Sequence, residues 1–303
     1  MRVAVSGSGG LVGAEVAASL ADAGDEVVRL VRRVPAEAGR EVRWDPESGI
    51  VDASGLEGIS AVVHLAGENI AAGRWNARRK AAIRESRVKG TRILCDALAG
   101  LSRPPDTLLC ASAIGFYGDR GDELLTEGSA AGEGFLADVC RDWEAATAPA
   151  ARRGIRVVAL RIGVVLSPKG GALSRMLPPF RAGFGGVLGN GSQYVSWVSL
   201  DELPGIVRHA LANRELQGPV NAVAPHPVTN REFTAALGTV LSRPTPFPVP
   251  AFALRLAVGE MADALLLSGA RVVPRRLEET GYRFRFPELH GALRHLLGKP
   301  GST

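Results

Sequence analysis

The chain has 303 residues, 46% of them hydrophobic and 22% charged, which excludes intrinsic disorder for most of it and predicts one large or two closely associated domains. The net charge is +5, but the arginines are scattered and only 5% of the residues are aromatic, so nucleic acid is not an expected partner. Three widely spaced cysteines form no disulfide or zinc pattern, and charged residues interrupt the apolar stretch at 254–267, so we expect a cytoplasmic protein without a membrane span.

The N-terminal segment predicts a strand, a glycine-rich loop, a helix and a second strand. Arg2–Ser6 is a short apolar run, Leu11–Ala23 has helical spacing and ends at Gly24, and Glu26–Val31 is rich in valine. Strands joined by a crossover helix in this order lie parallel in one sheet. The alternation continues with a strand at 61–65, a helix at 76–98, a strand at 107–111, a helix at 135–151 and a strand at 157–161. We therefore predict an α/β fold with a Rossmann-type doubly wound parallel sheet.

The pattern changes after Val165. Residues 167–191 are rich in glycine and proline with little periodicity, and residues 244–250 form a proline-rich connector. Helices are expected at 201–212, 252–267 and 289–297, and a short strand that returns to the sheet at 219–223. The predicted organisation is a Rossmann domain over residues 1–165 and a smaller substrate-binding region over residues 166–303.

A glycine-rich loop follows the first strand and opens the first helix. Its glycines, Gly7, Gly10 and Gly13, have the spacing G-x-x-G-x-x-G around Leu11 and Val12. In such loops the first glycine allows a sharp exit from the strand, the second lets backbone amides approach a pyrophosphate, and the third lets the helix pack closely. The helix N-terminus adds partial positive charge for the phosphates. The loop therefore predicts dinucleotide binding, and a purely structural turn is the alternative.

The residues after the second strand indicate which dinucleotide is bound. NAD-binding proteins of this type place a carboxylate there, on the ribose 2′-hydroxyl. This chain instead has Arg32 and Arg33, whose guanidinium groups attract a 2′-phosphate. We therefore predict NADP(H), with a solvated arginine pair as the alternative.

Several motifs together resemble one protein family. The stretches are GSGGLVG at 7–13, HLAGENI at 64–70, SAIGFYGDRGDE at 112–123, LRIGVVLSPKGGAL at 160–173 and SWVSLDEL at 196–203. They resemble the extended short-chain dehydrogenase/reductases, and within them an atypical, NAD(P)-dependent epimerase/dehydratase-like group of "epimerase family proteins", some of which carry a cell-division-inhibitor-like label. The tail at about 250–298 is similar to that group's C-terminal domain of unknown function. The resemblance covers nearly the whole chain.

The resemblance implies an NADP(H)-dependent oxidoreductase or nucleotide-sugar-epimerase-like enzyme that acts on an unidentified small molecule. It leaves a homodimer open. The cofactor positions that it implies are Arg32 and Arg33 at the 2′-phosphate, Leu65, Ala66 and Gly67 in the adenine-side loop, Arg87 beside the cofactor, and Val164 near the nicotinamide.

The usual catalytic pair of the wider superfamily is missing from the sequence. Members of the superfamily use Tyr-x-x-x-Lys to move the substrate's proton. This chain has three tyrosines, and none of them has a lysine four residues later. With Trp143 and Glu144 as the alignment point, Leu136 and Cys140 occupy the two positions, and neither side chain performs that proton chemistry.

Other groups are then candidates for handling the proton. Ser112 stands at the end of the strand predicted at 107–111, and Tyr117 lies in the glycine-rich turn beyond it, where packing of the turn is the alternative role. The loop carboxylates Asp119, Glu123 and Glu127 are further candidates, with a solvated surface role as the alternative. Lys169, Ser196 and Trp197 are expected to line the pocket, with a core position as the alternative for Trp197. Two functions stay open: an enzyme that uses Ser112 or Tyr117, and a non-catalytic NADP(H)-binding sensor or regulator.

Overall fold

The central element of the computed structural model, which describes residues 1–299, is an eight-stranded sheet. The strands are, in chain order, β1 Arg2–Ser6, β2 Glu26–Val31, β3 Glu41–Asp45, β4 Ile50–Val51, β5 Ala61–His64, β6 Thr107–Ala113, β7 Leu124–Leu125, β8 Arg156–Ile162, β9 Val164–Leu166, β10 Tyr194–Val195, β11 Trp197–Ser199, β12 Gly218–Ala222, β13 Val228–Thr229 and β14 Arg271–Val272. The helices are α1 Leu11–Asp22, α2 Ala77–Ala99, α3 Phe135–Ala145, α4 Ala148–Arg152, α5 Gly171–Arg181, α6 Leu203–Ala212, α7 Asn230–Leu241, α8 Ala251–Val258, α9 Arg275–Glu279 and α10 Leu289–Leu296.

The order of the strands determines where a ligand binds. The sheet runs β12-β8-β6-β5-β1-β2-β3-β4, and its neighbours are parallel except for β3 and β4. From β1 the chain moves outward through β2 and β3, and from β5 it moves outward in the opposite direction. In doubly wound sheets the crevice at the carboxyl ends of the strands, where this direction reverses, is the ligand site. Here the reversal falls between β1 and β5.

Helices cover both faces of the sheet. Val3 and Val5 of β1 point to one face, where they join a core cluster with α1 and α6. Ala4 points to the other face, where it joins Leu94 and Leu98 of α2. Because both faces are buried, the strands are nearly continuous apolar runs, as parallel sheets require.

Three predicted segments differ from the structure. The irregular region expected at 167–191 contains α5, whose buried apolar face outweighs the cost of two internal prolines. The single helix expected at 135–151 is divided into α3 and α4, and Pro149 lies in the first turn of α4. The helix expected at 252–267 ends at Val258, because Gly259 leaves the helical conformation with φ +66°.

The remaining strands form small two-stranded sheets beside the carboxyl edge of the central sheet. β9 follows directly after β8 and pairs with β11, while β7 follows β6 and pairs with β14 of the C-terminal segment. These pairings hold the C-terminal half over the crevice. Within residues 1–299, no helix combines the length and hydropathy needed to cross a membrane.

Candidate functional site

The glycine-rich loop leaves the N-terminus of α1 open for an anion. Gly7 turns the chain with φ +70°, and the amide of Gly10 donates to the Gly7 carbonyl at 2.9 Å. A Cβ at position 13 would overlap that same carbonyl oxygen, so helix and strand pack closely only around glycine. No side chain of the described residues caps α1 and no acidic residue lies in its first turn. Uncapped amides at a helix N-terminus favour a phosphate.

A buried network holds the neighbouring loop against the glycines. The Ser6 hydroxyl accepts hydrogen bonds from the amides of Leu65 at 3.1 Å and Ala66 at 3.3 Å. Its proton therefore goes to His64 Nδ1 at 2.6 Å, which leaves His64 Nε2 to donate to Thr91 at 3.1 Å. Burial lowers the pKa of His64 to about 4, so the ring is neutral. His64 thus fixes the loop and is not placed as a base.

The two arginines after β2 have different surroundings. Arg33 makes a bidentate ion pair with Glu41, with N–O distances of 2.6 and 2.8 Å. The hydrogen bonds from Arg33 lower the pKa of Glu41. Arg32 is 71% exposed and lies 3.5 Å from Glu47, beyond the carboxyl end of β3. Both terminal nitrogens of Arg33 therefore bind Glu41, the first residue of β3, whereas the guanidinium of Arg32 remains available to a ligand.

Arg87 supports the loop that begins at β5. Its Nη1 donates to the carbonyls of Glu68 at 3.0 Å and Ile83 at 3.1 Å. The guanidinium also lies close to Gly67, where an added Cβ would be 3.3 Å from Arg87 Cζ. Burial lowers the pKa of Arg87. The structure thus places Arg87 beside Gly67 and shows that it bonds to the loop backbone; its predicted contact with the cofactor remains a prediction.

The hydroxyl of Ser112 points into the protein. It donates to Glu144 Oε1 at 2.7 Å, and Ser112 is only 2% exposed. Arg161 of β8 binds both oxygens of the same carboxylate at 2.8 Å. Burial alone would lower the pKa of Arg161, but its bonds to Glu144 and Tyr117 outweigh burial and raise it. Ser112 is therefore part of a buried ion-pair network.

Tyr117 belongs to the same network. Tyr117 is fully buried. Its hydroxyl donates to Asn221 Oδ1 at 2.7 Å and accepts from Arg161 Nη1 at 3.0 Å. Burial is the main reason that the pKa of Tyr117 is raised. Arg161 Cζ also lies 3.4 Å from the centre of the Phe116 ring. The structure thus brings Ser112 and Tyr117 together around Arg161, with both hydroxyls engaged.

The two positions expected for the usual catalytic pair lie beside the turn that follows β6. A Cβ added to Gly115 would be 3.3 Å from Leu136 Cβ and 3.8 Å from Cys140 Sγ, so both side chains of α3 face the turn after β6. Burial raises the pKa of the Cys140 thiol to about 11. An apolar side chain and a protonated thiol thus occupy the place of the expected proton donors.

The remaining candidates serve mainly as structural links. Glu127 accepts from the amides of Asn221 at 3.0 Å and Arg276 at 3.2 Å, and burial raises its pKa. Ser196 donates to the carbonyl of Ala270 at 2.6 Å. The other four are equally engaged: Asp119 accepts from Gly269, Glu123 pairs with Arg120, Lys169 pairs with Glu15, and Trp197 is fully buried and donates to His226. Val164 lies half-buried beside β11.

Three residues of the buried network were not predicted from the sequence to have a role in the site: Glu144, which served only as an alignment point, Arg161 and Asn221. A charged residue inside the apolar strand Arg156–Ile162 was the available signal, because a buried arginine requires an acidic partner. The partner itself lies 17 residues away on another element, so the sequence alone does not identify it.

The switch point, the glycine-rich turn and the open helix N-terminus define a dinucleotide-binding protein of the Rossmann type. The model of the NAD dependent epimerase/dehydratase family matches residues 3–223, and a domain of unknown function, DUF1731, matches residues 249–296. The chain belongs to the NAD dependent epimerase/dehydratase family. The predicted family and fold are confirmed.

Similar proteins come from bacteria and from humans. An epimerase family protein of Mycobacterium bovis is 46% identical over 299 residues, which cover 99% of this chain and 98% of the relative. The structure of the human epimerase family protein SDR39U1 with NADPH has a TM-score of 0.89 and 35% identity, covering 98% of this chain and 99% of the human one. A nucleoside-diphosphate sugar epimerase from Corynebacterium glutamicum has a TM-score of 0.80 and 41% identity, covering 98% of this chain and 58% of the other.

Proposed function

We propose that the chain is an NADP(H)-dependent oxidoreductase acting on a small-molecule substrate. The observation that carries the proposal is the exposed guanidinium of Arg32 directly after β2, the parallel neighbour of the strand β1 that leads into the open N-terminus of α1. The human relative was solved with NADPH, which supports the same cofactor. Bound in this crevice, the cofactor supplies or accepts a hydride.

We assign the parts of the cofactor to the residues around the crevice as follows. The amides of Leu11, Val12 and Gly13 begin α1 and are placed for the pyrophosphate. Arg32 would bind the 2′-phosphate. The adenine side is assigned to the loop Leu65, Ala66 and Gly67, which Ser6 and Arg87 hold in position, and the nicotinamide end to Val164. The proposal also includes a nucleotide-sugar-epimerase-like activity, because the Corynebacterium relative is named a nucleoside-diphosphate sugar epimerase.

A non-catalytic NADP(H)-binding sensor or regulator is the second candidate. The apolar Leu136 and the high pKa of the Cys140 thiol beside Gly115 favour it, because they remove the usual proton donors. The catalytic roles predicted for Ser112 and Tyr117 remain proposals, and the inward hydrogen bonds of both hydroxyls favour structural roles.

The experiment separates binding from chemistry. NADPH and NADH are titrated into the protein by calorimetry, with Gly13→Ala, whose methyl group would overlap the Gly7 carbonyl and distort the glycine-rich loop, as the variant expected not to bind. NADPH oxidation is then followed over a panel of carbonyl compounds and, in the oxidised direction, sugar nucleotides. Tight NADPH binding with turnover of a panel member supports the oxidoreductase, tight binding without turnover supports the sensor, and absence of binding refutes both.

A further inference from the structure

One loop of the C-terminal half contacts the start of α1. This connecting loop, residues 167–170, joins β9 to α5. A Cβ added to Gly170 would lie 3.5 Å from Leu11 Cδ1, and one added to Gly171, the first residue of α5, would lie 3.6 Å from Leu11 Cδ2. Leu11 is the first residue of α1 and has one of the amides assigned to the pyrophosphate. The connecting loop therefore packs against the end of α1 at which the phosphates are expected.

The charged residue of the connecting loop is Lys169. Its Nζ lies 2.7 Å from Glu15 Oε1, and its side chain is 68% exposed. The Lys169 amide donates to the Ser167 hydroxyl at 3.1 Å, so the backbone of the loop is supported while the side chain stays in solvent. The ion pair with Glu15 raises the pKa of Lys169, and its ammonium is therefore charged at neutral pH.

The position of Glu15 places this ammonium close to the open N-terminus of α1. Glu15 follows Leu11 by four residues, so the two side chains lie on the same face of the helix. They are about 6 Å apart along the helix axis. Lys169 is thus held on the face of α1 that the connecting loop covers, one turn beyond the first amides. Because a lysine ammonium ends a flexible four-carbon stem, rotation of that stem alone moves the charge towards the first turn.

We propose that Lys169 is a further binding residue for the cofactor, and that its ammonium exchanges Glu15 for the pyrophosphate when the dinucleotide binds. The inference rests on the proposed NADP(H)-dependent function. An exposed ion pair contributes little to stability, so the Lys169–Glu15 pair is easily broken. A pyrophosphate carries more negative charge than one carboxylate, and lysine binds phosphates as a point charge. The exchange also removes the bare phosphate charge from the neighbourhood of Glu15.

The alternative role of Lys169 is to tether the connecting loop to α1 through Glu15. The two roles predict opposite effects of removing the Glu15 charge. If Lys169 is only a tether, loss of either partner frees the loop and weakens the cofactor equally. If Lys169 binds the pyrophosphate, loss of Glu15 removes a competing carboxylate and releases the ammonium.

The test is calorimetric titration of NADPH, NADH and 2′-AMP into the parent protein, Lys169→Gln and Glu15→Gln. Lys169→Gln should weaken NADPH and NADH to the same degree, roughly tenfold each, because both carry the pyrophosphate and one charge-assisted contact is lost. The 2′-AMP probe carries the 2′-phosphate without the pyrophosphate, so its Kd should change by less than about twofold at physiological salt. Glu15→Gln should leave the binding of NADPH and NADH unchanged or tighten it.

Lys299→Gln is the matched control, because it removes the same charge from an exposed lysine that follows α10. It should leave all three affinities unchanged. Lys169→Arg keeps the charge and should recover most of the NADPH affinity that Lys169→Gln loses. Because the Lys169 side chain is exposed, the melting temperatures of its variants should stay close to that of the parent, which reports that they are folded.

Three results overturn the inference. They are equal weakening of NADPH by Lys169→Gln and Glu15→Gln, unchanged NADPH affinity in Lys169→Gln, and a loss of 2′-AMP affinity in Lys169→Gln as large as that of NADPH. Each of them leaves the cofactor proposal intact, because the parent protein still binds NADPH. A parent protein that binds neither NADPH nor NADH refutes the proposed function and the role of Lys169 together.

Discussion

Replacement of Arg32 by alanine should change the cofactor preference and leave the fold intact. The Arg32 side chain is 71% exposed, and it forms an ion pair with Glu47, which is 84% exposed, at 3.5 Å. Exposed pairs at such distances contribute about 0–1 kcal/mol to stability. The unfolding midpoint of Arg32→Ala should therefore stay close to that of the parent protein.

The expected loss of NADPH binding free energy in Arg32→Ala is larger than the expected loss of stability. A charge-assisted hydrogen bond from a guanidinium to a phosphate contributes about 1.5–3 kcal/mol. Since about 1.4 kcal/mol is a tenfold change in Kd, Arg32→Ala should weaken NADPH binding roughly 10- to 100-fold. NADH has no 2′-phosphate, so its Kd should change by less than about twofold. Added salt should reduce the NADPH effect because the site is exposed.

Arg33→Ala is the matched control. Arg33 carries the same charge one residue later, but both of its terminal nitrogens bind Glu41, whose side chain is almost fully buried. Its removal should lower the melting temperature and have a smaller effect on the ratio of NADPH to NADH affinity. Calorimetric titration of both cofactors into the three proteins measures the affinities, and thermal unfolding of the same proteins measures the melting temperatures. Equal weakening of NADPH and NADH by Arg32→Ala would refute the assignment, and so would a larger loss of selectivity in Arg33→Ala.

Three further substitutions test the described contacts. Gly13→Ala places a methyl group on the Gly7 carbonyl, so calorimetry should detect no cofactor binding at concentrations that saturate the parent protein; normal binding would contradict the assigned loop. Tyr117→Phe removes a buried bond to Asn221 and one to Arg161, so urea unfolding should show a loss of roughly 1–3 kcal/mol; turnover lost without any loss of stability would instead support the catalytic role. His64 has its pKa lowered from 6.5 to about 4, so the unfolded chain binds the additional proton and stability should fall by up to roughly 3 kcal/mol as pH drops from 6.5 towards 4. Urea unfolding of His64→Gln across the same range should lack that share of the pH dependence.

The cofactor half of the site could be predicted closely from the sequence because its signals are local. The bounds expected for the first two strands, Arg2–Ser6 and Glu26–Val31, are those found, and Gly7 has the positive φ that its position after a strand requires. Each of these features depends on neighbours within a few residues. The short strand Glu41–Asp45 was not predicted, because its charged residues hide the apolar alternation. Glu41 is buried there because its carboxylate is paired with Arg33 and Arg29 and accepts from the Ala36 amide.

The reacting half could not be predicted in the same way because its geometry depends on distant partners. The sequence placed Ser112 at the end of β6, which the structure extends to Ala113, but it did not show where the hydroxyl points. That direction is set by Glu144 on α3, which in turn is held by Arg161 on β8. No periodicity or spacing connects these three positions. The side-chain orientation is a tertiary property, and it decides between a proton donor and a structural link.

The contrast between the two halves determines which measurement separates the candidate functions. An enzyme and a sensor need the same glycine-rich loop and the same Arg32, so cofactor affinity and selectivity cannot distinguish them. They differ in whether a hydride leaves the bound cofactor. The hydroxyls of Ser112 and Tyr117 are engaged by Glu144 and Asn221, so an enzyme that uses neither hydroxyl needs another source for the substrate's proton. Hydride exchange between the bound cofactor and an added substrate is therefore the measurement that separates the two candidates.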